Sequence, residues 1–250
     1  MRFASKNLSK FLNITTNYTP SGYYEFFYHA TVGLAIACEM KALNDKYYHG
    51  NYDTGQYDQE IGFWVSYYSS KSGMNLLFKH GDIKGEEGLD TVLGLVEVAV
   101  LMKALMYKEN GKLDPNRTNT NSNGTIDYGL IMLNSYWFKE TVNAGGKIFS
   151  GMDFEQNLKD GKWTYDPFYN IGGGIGMVFN KFSSSNSPTL MQWFKAVNLY
   201  NPGDKRFSEV VKYFHMMMGG WIIGTGEVDE NSFTHKKWEE WYKIINKNLP

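Results

Sequence analysis

The feature that most constrains the fold is an apolar segment at residues 89–108, which is most hydrophobic over 92–106. Glu97 and Lys103 interrupt residues 92–106. This most hydrophobic part is also shorter than the about 20 apolar residues that a bilayer-spanning helix needs. It therefore predicts a buried helix and no integral membrane segment. Glu109 and the pair Asn110-Gly111 end the helix, because Asn and Gly tolerate the left-handed conformation found at helix ends.

Composition excludes several classes of protein. The chain has 250 residues, enough for one large domain or for a domain of roughly 130 residues with additions. Its 25 basic and 26 acidic side chains give a formal charge of −1, so the basic surface of a nucleic-acid-binding protein is not expected. Cys38 is the single cysteine and predicts a small buried apolar residue. The five histidines lack paired ligand spacing, so we expect neither a metal nor a cofactor.

Periodicity predicts further helices around the central one. Residues 24–44 are helical in pattern, with a buried face predicted at Phe27, Ala30, Leu34, Ala37 and Cys38. Residues 44–59 predict an irregular connection. Residues 204–218 predict an amphipathic helix whose apolar face contains Phe207, Val210, Val211, Phe214 and Met218. Residues 233–249 predict a terminal helix packed through Trp238, Trp241 and Ile245.

A short β-hairpin is predicted after Glu109. Asn123-Gly124 is a strong signal for a two-residue hairpin turn. Asparagines at 119, 121 and 123 imitate a calcium loop, but Leu130 stands where a bidentate Glu would be needed, so the hairpin is favoured. Residues 128–138 are apolar enough to return to a core. The glycines at 172–174 and 176 lack a phosphate-loop pattern and predict a close-packing turn.

Two carboxylates in different surroundings suggest glycosidase chemistry. Cleavage of a glycosidic bond needs a proton donor at the leaving oxygen and a group that stabilises positive charge on the sugar. Glu109 follows an apolar helix, where desolvation would raise the pKa of a carboxyl group. Asp127 follows the hairpin in polar surroundings that would keep it ionised. Spacing alone is weak support for this pair, because most such residues are solvated charges or turn residues.

Three motifs strengthen this hypothesis through resemblance. They are Glu109-Asn110-Gly111 with Asn123-Gly124-Thr125-Ile126-Asp127-Tyr128-Gly129-Leu130 and Leu133-Asn134-Ser135-Tyr136-Trp137, then Asn170-Ile171-Gly172-Gly173-Gly174, then Ala196-Val197-Asn198-Leu199-Tyr200-Asn201-Pro202-Gly203. In order and spacing they resemble the active-site regions of lysozyme-like lytic transglycosylases and animal-type lysozymes. The resemblance covers about residues 88–218.

The resemblance implies a mainly α, lysozyme-like α+β fold with a small β-hairpin next to the active-site cleft. It further implies cleavage of the β-1,4 bond between N-acetylmuramic acid and N-acetylglucosamine in peptidoglycan glycan strands. Glu109 would be the acid and then the base, and Asp127 the second carboxylate. Predicted substrate-binding residues are Asn110, Tyr128, Met132, Asn134, Asn170, Tyr200 and Asn201.

The reaction product stays open at this point. The tyrosine motif favours a transglycosylase, which releases a 1,6-anhydro product, whereas Asp127 is compatible with hydrolysis of the lysozyme type. Two positions depart from the family pattern, since Asn110 replaces the usual Ser and Met132 replaces a groove Gln. The stretch between Trp137 and Asp166 has the character of an insertion, either a lid or a longer loop, and we favour the loop.

Three regions are expected along the chain. Residues 1–87 form an aromatic-rich helical extension, 88–218 the catalytic domain and 219–250 a C-terminal helical tail. Residues 1–18 lack the apolar run of a secretory signal, which favours delivery to the bacterial cell wall or periplasm in a phage particle or by a dedicated secretion system. Residues 1–87 would then dock onto phage structural or secretion-apparatus proteins. The alternative is an inactive structural or adaptor component with the same fold, against which the presence of both carboxylates argues.

Overall fold

The computed structural model describes residues 20–48, 55–74, 76–78, 91–143, 160–182, 187–200, 204–218, 222–223, 227–228 and 243. The helices are α1 Pro20–Tyr48, α2 Asp58–Lys71, α3 Leu95–Glu109, α4 Ser135–Asn143, α5 Pro167–Phe179, α6 Leu190–Tyr200 and α7 Asp204–Met217, with a 3₁₀ helix at Lys162–Thr164. The strands are β1 Thr118–Thr120, β2 Ile126–Tyr128, β3 Leu133–Asn134, β4 Ile222–Ile223 and β5 Glu227–Val228. This composition confirms the prediction of a mainly α fold with a small antiparallel sheet.

Helix α3 lies in the middle of the core, packed against α1, α2 and α7. Every residue from 95 to 106 is buried, including Lys103, which forms an ion pair with Asp58 of α2 over 2.6 Å. The helix begins later than predicted because Gly94 is extended, and the Glu97 carboxylate accepts the Gly94 N–H at the start of the helix. Its predicted end at Glu109 is confirmed.

Helices α1 and α2 pack at very short range. A Cβ on Gly33 would lie 2.6 Å from the backbone nitrogen of Phe63, and one on Gly62 would lie 2.7 Å from the Gly33 oxygen. The buried face of α1 is therefore the glycine face, with Phe26, His29, Ile36, Met40 and Leu43.

The predicted face of α1 is wrong. Phe27, Ala30, Leu34 and Ala37 are only half-buried, and Cys38 is exposed instead of buried. Apolar residues occur on both sides of this helix, so periodicity alone does not identify the packed side. The close approach of two glycines decides it. The predicted irregular connection is also shorter than expected, since α1 continues to Tyr48 and α2 begins at Asp58.

The three-stranded sheet has the order β1-β2-β3, with all pairs antiparallel. The hairpin prediction is confirmed, but its two-residue turn is wrong. Asn121 N–H donates to the Thr125 carbonyl over 2.8 Å, which leaves three loop residues between them. Gly124 supplies the single left-handed residue of this loop, with φ of 80°. A turn residue followed by a left-handed glycine is the usual geometry of a three-residue hairpin loop.

The glycine-rich segment packs closely, as predicted, but it forms a helix instead of a turn. Asp166 caps α5 by accepting the Phe168 N–H over 2.9 Å. A Cβ on Gly172 would lie 2.4 Å from the Trp64 ring, and one on Gly174 would lie 2.3 Å from the Ile131 side chain. The glycines therefore allow α5 to touch α2 on one side and the segment after β2 on another.

One hydrophobic core joins the helices before and after residue 87. Trp64 of α2 donates from Nε1 to the Phe168 carbonyl of α5 over 2.8 Å. The predicted boundary near residue 87 therefore does not separate two cores among the described residues. Helix α7 is confirmed as amphipathic, with its predicted apolar face buried. None of the helices in the described ranges is both long and apolar enough to cross a lipid bilayer.

The region predicted as a helical tail contains a short antiparallel pair. Strand β4 pairs with β5, with Ile222 opposite Val228. The predicted terminal helix at 233–249 falls outside the described residues except for Lys243, as does most of the insertion between Trp137 and Asp166. The lid and loop readings of that insertion therefore both stay predictions.

Candidate active site

An open cleft of about 600 Å³ lies beside the small sheet. Its sheet wall consists of polar residues of the hairpin and of β3, namely Asn121, Ser122, Asn123, Thr125, Asp127 and Asn134, with Met132 and Leu133. Its helical wall consists of Trp137, Phe138, Thr141, Met177, Lys181, Leu199 and Tyr200. The volume is within the range of cavities that hold small ligands.

Asp127 is fixed on the sheet wall by three asparagines. Its Oδ1 accepts from Asn134 Nδ2 over 2.7 Å and from Asn121 Nδ2 over 2.9 Å, and its Oδ2 accepts from Asn119 Nδ2 over 3.4 Å. Strand register explains the arrangement, because Asn119 and Asn134 stand opposite Asp127 on the two neighbouring strands. An ionised carboxylate accepts at both oxygens, so all three amides hold it in one orientation.

Asn110 ties the end of α3 to the segment that follows β2. Its Nδ2 donates to the carbonyls of Asp114 over 2.6 Å and Gly129 over 3.1 Å, and its Oδ1 accepts from the Asp114 N–H over 3.3 Å. The side chain is 0% exposed. The predicted sugar contact at Asn110 is therefore replaced by a structural role, because its polar atoms serve the backbone. This role places the neighbouring Glu109.

Glu109 is the last residue of α3 and is half-buried. The helix before it is apolar and enclosed, and the backbone after it is held by Asn110. This position matches the prediction of a carboxyl group at the end of a buried helix, but Glu109 is not among the residues that line the cleft, and its catalytic role stays a prediction.

Asn170 of α5 has a similar structural role. Its Nδ2 donates to the carbonyls of Tyr128 and Trp163, both over 2.9 Å, and its Oδ1 accepts the Ile131 N–H over 3.2 Å. A Cβ on Gly129, whose φ is +74°, would lie 2.6 Å from the Asn170 amide, so only glycine fits there. Asn170 is 2% exposed and is not among the residues that line the cleft, which corrects its predicted role in substrate binding.

The pKa of Tyr200 depends on both carboxylates. Its hydroxyl donates to the Ile131 carbonyl over 2.9 Å, and its ring lines the cleft. Desolvation raises the pKa of the phenol well above its ordinary value, and the negative charges of Glu109 and Asp127 raise it further. Both carboxylates therefore lie within electrostatic range of one hydroxyl group, although they come from different elements.

The remaining predicted residues fall into three groups. Asn134 and Met132 line the cleft, and Met132 has a left-handed backbone with φ of 49°. Tyr128 is not among the lining residues and packs its ring edge-on against Trp163, with centroids 5.5 Å apart. Asn201 lies outside the described residues.

Sequence reasoning missed the partners of Asp127 and most of the helical wall. The hairpin pattern predicts Asn119 and Asn121 only as hairpin residues. The register of a hairpin would also place Asn119 opposite Asp127, which identifies it as a candidate partner. Thr141, Met177, Lys181 and Leu199 carry no local signal, because long-range packing brings them to the cleft. Among the described residues, no group of three or more His, Cys, Asp or Glu side chains is placed to hold a metal ion.

Comparison of the chain with models of protein families, with curated proteins and with solved structures found no match. The functional interpretation therefore depends on the cleft itself and on the motifs that build it.

Proposed function

We propose that this protein cleaves the glycan strands of bacterial peptidoglycan at the bond between N-acetylmuramic acid and N-acetylglucosamine, with a lysozyme-like fold. The supporting observation is the position of Tyr200, whose hydroxyl is close enough to Glu109 and Asp127 for both charges to raise its pKa. Asp127 and Tyr200 line the open cleft, and Glu109 lies within electrostatic range of Tyr200. A pair of carboxylates flanking the scissile bond is what glycosidic bond cleavage requires.

Glu109 is the general acid in this proposal. Its carboxylic acid gives a proton to the glycosidic oxygen, the bond to the anomeric carbon breaks, and the bonding electron pair stays with the leaving oxygen. Positive charge then develops on the muramic acid ring. The oriented carboxylate of Asp127 stabilises this charge without rearrangement, because its amide donors already hold it in place.

The second step has two forms that differ in product. In a lytic transglycosylase, the Glu109 carboxylate takes the proton of the muramic 6-hydroxyl, whose oxygen attacks the anomeric carbon and closes a 1,6-anhydro ring. In a lysozyme-type muramidase, Glu109 takes a proton from water, which supplies the new oxygen and leaves a reducing end. Tyr200 favours the first form by resemblance, and the fixed carboxylate of Asp127 favours the second.

The two walls of the cleft suit a sugar chain. The sheet wall offers amide and hydroxyl groups that match sugar hydroxyl and acetamido groups. On the helical wall, Trp137 is 61% exposed and presents an aromatic surface to the face of a sugar ring. Specificity then comes from the polar wall and contact area from the apolar wall.

The structure weakens one argument for the rival reading, an inactive adaptor with this fold. Asn110 stands where the family has a serine after the acid, a departure that would fit an inactive protein. Its three hydrogen bonds to the backbone show that Asn110 has a full set of structural partners. The replacement of serine by Asn110 is therefore no reason to infer that Glu109 is inactive. Action at the cell wall, with delivery by a phage particle or a secretion machine, belongs to this proposal.

Release of dye from labelled, purified peptidoglycan tests the proposed activity. The protein should release dye, and Glu109→Gln should lower the rate by about 100-fold or more, since general acid catalysis contributes about 10²–10⁴-fold. Glu140→Gln is the matched control, because Glu140 is an exposed glutamate on α4 that has no role in the proposed reaction. Undiminished release by a folded Glu109→Gln variant would contradict the proposal.

A further inference from the structure

The helical wall of the cleft contains a cation that the proposed mechanism does not use. Among the described residues that line the cleft, Lys181 and Asp127 are the only charged groups. Asp127 is already held by three amide donors, and its orientation needs no cation. The ammonium group of Lys181 is thus available to a molecule in the cleft.

The backbone of Lys181 is well positioned while its side chain is exposed. Its N–H donates to the Val178 carbonyl over 3.0 Å, directly after α5, whose residues 168–179 are all buried. The fixed backbone gives the side chain a defined origin at the edge of the cleft.

Other lysines of the core behave differently. Lys103 is paired with Asp58, and Lys108 is paired with Glu209. Within the described part of the chain Lys181 has no ion-pair partner, so no described carboxylate neutralises its charge.

The proposed substrate supplies an anion of the right kind. A polymer of N-acetylglucosamine alone is neutral and gives an ammonium group no charged partner. Muramic acid carries a lactyl ether, which bears either a free carboxylate or a peptide with its own carboxylates. Resting on the proposed function, we infer that Lys181 is a specificity-determining residue that binds a carboxylate of the muramyl substituent, so that the cleft distinguishes muramyl glycans from neutral ones.

Binding measured in the Glu109→Gln background tests this inference without turnover. The ligands are muramyl glycan fragments with intact peptides, the same fragments after amidase treatment, which exposes the lactyl carboxylate, and neutral chitohexaose. Lys181→Met should weaken binding of at least one of the two muramyl fragments about tenfold, the effect of one lost charge-assisted hydrogen bond. Chitohexaose binding should not change. Lys139→Met is the matched control, because Lys139 is exposed on α4 and does not line the cleft.

The ligands also identify which carboxylate binds. Weakening confined to the amidase-treated fragment assigns the free lactyl carboxylate, weakening confined to the peptide-bearing fragment assigns a peptide carboxylate, and weakening of both shows that Lys181 binds either one; each of these results supports the inference. Unchanged binding of both muramyl fragments, or equal weakening of chitohexaose, would overturn it and leave the proposed function standing. If the Glu109→Gln protein with Lys181 in place bound none of the three ligands, the proposed function would be overturned as well.

Discussion

Asn134 donates from Nδ2 to Oδ1 of Asp127 over 2.7 Å, across the paired strands β2 and β3. The same residue caps α4, because its Oδ1 accepts the backbone N–H groups of Tyr136 and Trp137 over 3.1 and 3.2 Å. One side chain therefore sets both the orientation of the second carboxylate and the start of the helix that carries Trp137.

Asn134→Asp separates these two roles. The new carboxylate can still accept the backbone N–H groups that begin α4. It can no longer donate to Asp127, and it places a second negative charge beside that carboxylate. Two adjacent carboxylates resist ionising together, so we expect activity to fall near neutral pH and to recover partly in acid, where the pair shares a proton. Activity measured from pH 4 to 8 checks this. Asn143→Asp, at the exposed end of α4, should keep the original profile, and an unchanged profile for Asn134→Asp would count against the role of Asp127.

Asn110→Ala should destabilise the fold and lower activity together. The substitution leaves the buried Gly129 carbonyl without this donor, which costs about 1–3 kcal/mol, and it also removes the two hydrogen bonds to the exposed Asp114, each worth about 0.5–1.5 kcal/mol. We therefore expect the free energy of unfolding in urea to drop by about 2–4 kcal/mol. Asn116→Ala, at an exposed position, is the control. Full stability of Asn110→Ala would show that Glu109 is positioned by other contacts.

Gly174→Ala tests the packing of α5 against the segment after β2. The new Cβ would lie 2.3 Å from the Ile131 side chain. The backbone carbonyl of Ile131 also accepts the hydrogen bond of the Tyr200 hydroxyl. Overpacking of this kind typically costs about 1–3 kcal/mol, and thermal unfolding measures it. At Gly111 the nearest atom to a new Cβ is 3.5 Å away, so Gly111→Ala should be tolerated. Equal melting temperatures for the two variants would contradict the close packing.

His29 makes the stability of the fold depend on pH. Burial first, and then the charge of Lys71, lowers the pKa of His29 from 6.5 to about 4, and Ser66 Oγ lies 2.8 Å from its Nδ1. The unfolded chain takes up this proton near pH 6.5, whereas the folded protein resists it. Stability from this group is therefore lost as pH falls from 6.5 to about 4, by at most about 3 kcal/mol.

His29→Gln should remove that contribution. Urea unfolding of both proteins across this pH range gives a difference curve that isolates the histidine from the carboxylates. We expect the stability difference between them to shrink as pH falls. A constant difference would contradict a buried neutral His29.

Local patterns predicted those parts of the fold in which neighbouring residues decide the structure. Helix α7 has one apolar face, and α3 is mostly apolar and ends at an Asn-Gly pair, so both were predicted. In α1 both sides contain apolar residues, and the choice between them depends on the contact of Gly33 with Gly62 of another helix. The glycines of α5 indicated a turn, but Trp64 and Ile131, distant in sequence, make a helix with glycines the better solution.

The candidate site shows the same division. The positions of Glu109 at a helix end and of Asp127 beyond a hairpin loop were predicted from local elements, and their catalytic roles stay predictions. The buried roles of Asn110 and Asn170 were not predicted, because their partners Gly129 and Tyr128 lie far along the chain. A motif indicates that an asparagine is needed, but whether it faces a sugar or the backbone depends on how the segments pack.

Mass spectrometry of the fragments released from purified peptidoglycan tests the central claim most directly. The protein should release muropeptides that end in 1,6-anhydro-muramic acid or in reducing muramic acid, and folded Glu109→Gln should release neither. The first terminus would identify a lytic transglycosylase and the second a lysozyme-type enzyme. No release by the folded protein, or the same fragments from Glu109→Gln, would contradict the assignment of Glu109 as the acid that cleaves the glycan strand.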